Sequence, residues 1–199
     1  VRSVFAIAVV LLGCPSRATP PDTFVAGREG EPTWLATADG RLRVPLPSGL
    51  RWDAPTFTKD GGAKARADDG PTFVVVAPLD DVDPPASPRR CAESHREKLA
   101  IALAASGVEA TVPRLIEETR RGEKVPRLQY AVPLEEKGAA RPASTLSYWA
   151  YVVTGGRCLG ISVTTVVHEA QGAPDQPDPE DLQRLERVFS SVAEGAKIP

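Results

Sequence analysis

Methionine and asparagine are both absent from the 199 residues. Without asparagine there is no acceptor for N-glycosylation. The missing methionine, with arginine far outnumbering lysine, reads as the coding bias of a GC-rich genome and carries no function. There are only two histidines and three cysteines, so metal or thiol chemistry has few residues to draw on. No excess of positive charge exists: the formal net charge is −2. A nucleic-acid binder that neutralises phosphates would be strongly basic, so nucleic acid is not an expected partner. No apolar run reaches eighteen residues, so no segment reads as an ordinary transmembrane helix. Ser48, Ser162 and Ser190 lack a Gly-x-Ser-x-Gly elbow, and there is neither a Walker nor a dinucleotide glycine pattern. No catalytic residue and no cofactor is expected. Glycine (16) and proline (20) are plentiful, so the chain should be rich in turns.

What is present is most telling at the N-terminus. Arg2 is followed by nine unbroken apolar residues, Val4 to Leu12. As a helix these span ~13 Å, far short of a ~30 Å hydrocarbon core, but they fit the apolar region of a signal peptide. Leu11-Leu12-Gly13-Cys14 closes the run. It resembles the lipobox of bacterial lipoproteins. That resemblance implies cleavage before Cys14 and acylation of its thiol and new amine. It also implies an alternative start codon at Val1, or a start slightly upstream. Pro15 rather than Asp follows Cys14, which by the same resemblance implies the outer membrane. An export signal with a chance cysteine is the alternative. The expected division is a signal peptide over 1–13, a lipidated Cys14 and flexible Pro-rich tether over 14–32, and one domain over 33–199. Within the tether only Phe24 and Val25 are sizeable and apolar.

Along the domain, residues 34–38 read as a strand, Asp39-Gly40 as a two-residue hairpin turn, and Leu42, Val44 and Leu46 as alternating strand positions. Residues 59–70 are polar and Gly-rich, a loop. The run 72–77 (TFVVVA) suggests a strand buried on both faces. Ser87-Pro88 is a cap followed by proline, opening a helix that Gly107 should stop. Its expected buried face carries Cys91, His95, Leu99, Ala102 and Leu103. Strands follow at 115–119 and 125–134. The clearest hairpin is 146–154 with 158–167 around Gly155-Gly156, pairing Val152 with Leu159 and Val153 with Cys158. A loop at 168–177 leads to Asp178-Pro179 and a last helix with Leu182, Leu185, Val188, Phe189 and Val192 at 3.6 spacing. The fold class is α+β: a mainly antiparallel sheet covered by two helices.

This order resembles the PsbP/DcrB-like group, an α/β/α sandwich. Leu42-x-Val44-Pro45-Leu46-Pro47-x-Gly49-Leu50 is similar to its early strand. The helix after 72–77 and the long hairpin running into a helix that ends Phe189-Ser190-Ser191-Val192 carry the rest. The cover is about 33–193. The resemblance implies fold, and a binding or assembly role without catalytic residues.

With Cys14 acylated, Cys91 and Cys158 have the parity of one disulfide in an oxidising compartment. Two buried free thiols, or a Cys91 thiol activated by a helix N-terminus and His95, are the alternatives. A zinc site of Cys91, His95, Cys158 and His168 fails on distance, because ten strand residues separate the last two by ~33 Å. Asp80, Asp81 and Asp83 lack calcium-loop spacing and read as a solvated loop. Asp175, Asp178, Glu180 and Asp181 read as helix capping. Trp149 and Tyr151 share a strand face opposite Tyr148. Core packing is the default reading of this pair, and a candidate ligand or partner binding surface is the alternative. The expected function is a non-enzymatic, membrane-anchored lipoprotein of the cell envelope, attached to the bilayer through Cys14, with an unknown protein or small-molecule partner. A lipid-anchored hydrolase with dispersed site residues is the alternative.

Overall fold

The computed structural model describes residues 24–25, 33–68, 70, 72–79, 87–108, 110–134 and 142–198. Cys14, the segment 1–13 and most of the expected tether lie outside the described residues, as do Asp80, Asp81 and Asp83.

Two antiparallel sheets form. The smaller has the order β1 (Phe24–Val25), β2 (Thr33–Ala36), β3 (Arg43–Leu46). Phe24 and Val25 therefore pair with Leu35 and Trp34 and belong to a sheet. The larger sheet is built from β4 (Thr56–Phe57), β5 (Ala63–Arg66), β6 (Phe73–Leu79), β7 (Arg114–Arg120), β8 (Glu123–Leu134), β9 (Ala143–Thr154) and β10 (Arg157–Ala170). Its order is β4-β5-β6-β10-β9-β8-β7, and β11 (Ala173–Pro177) pairs with β10. Helix α1 (Pro88–Ser106) follows β6, and α2 (Pro179–Glu194) closes the fold.

The two helices lie on opposite faces because the central strands alternate. In β9, Leu146, Tyr148, Ala150 and Val152 join Leu159, Ile161 and Val163 of β10 on one side. That side is sealed by Leu185, Val188, Phe189 and Val192 of α2, and by Leu35, Leu42, Val44 and Leu46 from the loop and strands of the small sheet. Leu185 and Phe189 are fully buried, each worth ~2–3 kcal/mol of apolar transfer. The other side of the same strands carries Trp149, Tyr151, Val153 and Cys158, which meet Cys91, Ala92 and Leu99 of α1. The architecture is an α/β/α sandwich, in the α+β class read from the sequence.

The caps are those of the sequence reading. Ser87 Oγ accepts from the Arg90 N–H at 3.2 Å, and Gly107 ends α1 in the left-handed region at φ 68°. Asp178 Oδ1 accepts from the Glu180 N–H at 3.0 Å. The β9–β10 hairpin turns through Gly155 (φ 55°) and Gly156 (φ 75°), with Val152 opposite Leu159 and Val153 opposite Cys158.

Five expectations are corrected. Asp39-Gly40 does not form a two-residue turn: Ala36 pairs with Arg43, so the connection runs from Thr37 to Leu42. Asp39 organises it by accepting from Thr37 Oγ1 (2.7 Å) and the Arg41 N–H (3.1 Å). The expected loop at 59–70 contains β5, whose Ala63 and Ala65 are fully buried while Lys64 reaches 4.0 Å over the Phe73 ring. The expected loop at 168–177 contains the end of β10 and all of β11. Strand β6 is not buried on both faces. Val74 and Val76 are, but Phe73, Val75 and Ala77 are half-buried, because α1 lies over β7 to β10 instead. Finally, Ala102 is exposed, since α1 leaves the sheet in its second half.

Candidate functional site

The residues singled out from the sequence meet under the first two turns of α1. Cys91 sits in the turn capped by Ser87, and Cys158 is the second residue of β10, directly after the diglycine turn. They form a disulfide with Cα atoms 5.8 Å apart, and both are buried (0% and 2% exposed). The bond excludes the activated-thiol and free-thiol readings in the folded protein. It also fixes which face of the sheet α1 covers, because Cys158 lies opposite Val153 and on the same side as Tyr151 and Trp149.

One helical turn beyond Cys91, His95 enters the interface. Its Nδ1 lies 2.9 Å from Tyr151 Oη, so one hydrogen bond joins helix to sheet in either imidazole tautomer. The His95 ring stands edge-on to Trp149, with centroids 4.4 Å apart. Burial, with a smaller contribution from the charge of Lys98, pushes the His95 pKa down to about 4. Burial, with Tyr130 nearby, holds the Tyr151 phenol well above its ordinary value. Both partners are therefore neutral at physiological pH. Tyr151 is 7% exposed, so it is part of the helix–sheet interface and offers no open surface. Trp149 is half-buried over Gly160, where a Cβ would come within 2.9 Å of its Cζ3. Its Nε1 is buried without a hydrogen-bond partner among the described residues.

Beside this cluster, a shallow groove of about 270 Å³ runs between α1 and the β7–β8 hairpin. Arg89, Glu93, Arg96 and Glu97 line its helix side, with Leu115, Glu117 and Pro126 on the sheet side. Arg89 spans it, meeting Glu93 Oε1 at 3.1 Å and Glu117 Oε1 at 2.6 Å. These are surface pairs and add little to stability. They give the groove a mixed charge.

His168 is not part of the cluster. Its Nδ1 lies 2.9 Å from Asp181 Oδ2, which also accepts the His168 backbone N–H at 3.0 Å, at the start of α2. Burial opposes ionisation of Asp181, but those hydrogen bonds and the Arg184 charge win and hold its pKa below the usual value. Among the described residues no group of His, Cys, Asp and Glu is arranged to hold a metal ion. Asp178 and Glu180 take capping roles, and Asp175 has no described side chain.

Sequence reasoning missed an ion network on the opposite face. Arg127 Nη1 contacts both carboxylate oxygens of Glu186 at 2.9 Å and Glu118 Oε2 at 3.1 Å, and Arg120 pairs with Glu118. The Arg127 guanidinium lies 4.4 Å over Tyr148 and that of Arg120 4.5 Å over Phe189. The network ties the edge hairpin to α2. Its one signal in the sequence is Glu118 alternating with Arg120, which a sequence reading takes for a solvated edge.

No family model and no curated protein matches the chain. Solved structures do. The Saccharomyces cerevisiae Ran-binding protein Mog1p is 12% identical, with 84% of this chain and 95% of that one covered and a TM-score of 0.51. The chain shares its fold with Mog1p. A point mutant of Mog1 gives 13% identity, 84% and 96% cover and a TM-score of 0.49. LpqN, involved in cell envelope biogenesis of Mycobacterium tuberculosis, gives 10%, 79% and 83% cover and 0.42. At such identities the likeness to Mog1p is one of fold alone.

Proposed function

We propose that this chain is a non-catalytic binding or assembly module of the bacterial cell envelope, of PsbP/DcrB-like type, tethered to the outer membrane by acylation of Cys14. One observation carries the non-catalytic half. Every cysteine and histidine among the described residues is held by a structural partner: Cys91 by Cys158, His95 by Tyr151, His168 by Asp181. Of the three groove carboxylates, Glu93 and Glu117 share Arg89, which leaves Glu97 as the third. A hydrolase would need free titratable groups converging on one pocket. Membrane attachment is supported by the apolar run and Leu11-Leu12-Gly13-Cys14. Several acyl chains would hold the protein stably, where one chain alone is marginal. That a Ran-binding protein has this fold supports protein binding as a role the fold can serve. The mixed-charge groove beside α1 is the surface we assign to the partner.

The test is expression of the full chain with Cys14→Ser in its own envelope, followed by membrane fractionation and labelling with a radioactive fatty acid. The expected result is an unlabelled protein, released from membranes or left as an uncut precursor. A variant that stays membrane-bound and lipid-labelled would overturn the anchor. A crosslinker at Arg96 should capture a partner that Arg89→Glu loses. Capture indifferent to that change would remove the groove from the reading.

A further inference from the structure

We infer that α1 is a separable cover on the sheet, latched by the Cys91–Cys158 disulfide. Without the bond, α1 opens while the sheet and α2 stay folded. The two helices are held very differently. Helix α2 buries Leu185, Val188, Phe189 and Val192. Of the nineteen residues in α1, only Cys91 and Ala92 are buried, and the first of these is the latch itself. Its second half buries no residue, with Ile101 70% exposed. Among the contacts that remain without the bond are buried Ala92, the His95–Tyr151 hydrogen bond, the His95 ring against Trp149, half-buried Leu99 and a surface ion pair from Arg89 to Glu117. Most helical stability in a folded protein comes from tertiary packing rather than intrinsic propensity, so losing its docking loosens the helix. The opposite face has no such weak point. Its core runs from the small sheet through β6, β10 and β9 to α2 and includes no residue of α1.

The register shows how the latch works. Cys158 pairs with Leu79, the last residue of β6. With the sheet intact, the loop closed by the disulfide is the short one from Leu79 to Cys91, and the bond holds the first turn of α1 at the end of the strand from which that connection leaves. The chain entropy that the open state would regain on release of a loop of that size sets the effect of the bond at about a hundredfold in the closed-to-open ratio. Reduction would proceed by two thiol–disulfide exchanges with a dithiol. Its two electrons and two protons pass to the sulfurs of Cys91 and Cys158, leaving two thiols here and a disulfide in the donor. Because both sulfurs belong to buried residues, the donor must wait for a local opening. The face then uncovered holds Trp149, Tyr151 and Leu128.

Native-state hydrogen exchange on the full chain tests this, comparing the oxidised protein with Cys91→Ala/Cys158→Ala. The expected result is a loss of about a hundredfold in protection across α1, with α2 and β10 changed by less than about threefold. In a Trp34→Phe/Trp52→Phe background, acrylamide should quench Trp149 more strongly in the cysteine-free protein. Joint loss of protection in α1 and α2 would overturn the inference, as would unfolding of the double variant, because the bond would then stabilise the domain as one unit. Unchanged protection in α1 would overturn it as well. A second measurement keeps both cysteines: His95→Ser should speed reduction by dithiothreitol while leaving α2 exchange as it was. No change in reduction rate would mean that α1 is not the gate.

Discussion

Acidification should weaken this domain through one imidazole. His95 has an ordinary pKa of 6.5, lowered to about 4 when docked against Tyr151 and Trp149. Because the folded value lies below the unfolded one, the unfolded chain takes up a proton that the folded chain refuses. Stability is therefore intact above pH 6.5, falls as pH drops through the interval, and levels off below about 4. Between pH 7 and 4.5 the full shift would amount to ~2.4 kcal/mol, and partial solvation of the ring brings the expected loss to about 2 kcal/mol. For a domain of this size that is roughly 4–8 °C in melting temperature. The interval is clear of the other shifted groups. Asp39 and Asp181 have depressed pKa values, so what they contribute is present above the ordinary value of 3.8 and lost only below it. Lys64, lowered from its ordinary 10.5 by burial, and the two tyrosines, raised from 10.0, lie on the alkaline side of the interval.

The assay is a set of urea transitions at half-unit steps from pH 7.5 to 4.5, on the native sequence and on His95→Gln. Glutamine is neutral throughout and can still reach a phenol. The variant should start slightly less stable and then hold level where the parent declines, so that the two curves converge. A parallel decline in both would refute the reasoning, because the proton would then be going elsewhere. Charges near His95 sharpen the comparison. Lys98 on the same helix adds to the depression, while the groups facing the ring from β9 are the uncharged Tyr151 and Trp149.

Gly160→Ala should cost about 1–3 kcal/mol, because its Cβ would fall 2.9 Å from Trp149 Cζ3 and 3.1 Å from Leu79 Cδ1. A urea midpoint and the near-ultraviolet circular dichroism of Trp149 read it, and an unmoved midpoint would show that the ring has room to shift. Arg127→Met should cost about 1–2 kcal/mol, since it removes a half-buried guanidinium from exposed Glu186 and from Glu118, which keeps Arg120. Adding Glu118→Gln and Glu186→Gln should recover part of that loss. No recovery would mean that packing on Tyr148, rather than charge, is what Arg127 supplies.

How far the sequence could be read depended on whether a feature was local. Ser87-Pro88 with Gly107, and Asp178-Pro179 with the apolar spacing after it, each carry their own geometry within a turn or two, and both helices are found between those marks. The diglycine turn fixes the β9–β10 register by backbone conformation alone, so Val153 and Cys158 were legible as partners. Strand β5 was not, because Ala-Lys-Ala-Arg shows inward alternation only through residues too small to register as apolar against their charged neighbours. Asp39-Gly40 misled for a related reason. The turn signal is real at Gly40 (φ 69°), but Asp39 spends its side chain on Thr37 and Arg41 and so widens the loop. The candidate site sits between these cases. Parity and compartment brought Cys91 to Cys158, yet two assignments depended on which face of the sheet α1 covers. The first was whether Tyr151 is core, the default, or open surface, and the second was Ala102 as buried. No local pattern encodes that choice. It is made by the disulfide, whose partner residue shares a face with Trp149 and Tyr151, and by α2, whose larger apolar stripe takes the other side. Once α1 lies over the aromatic pair, Tyr151 ceases to be a surface and becomes the acceptor or donor for His95. The part of α1 that overhangs the sheet leaves Ala102 in water. A sequence reader who compared the two helices by apolar bulk could have ranked them. Leu182, Leu185, Val188, Phe189 and Val192 outweigh anything on α1, and the helix with less to bury is the one that needed a covalent tie.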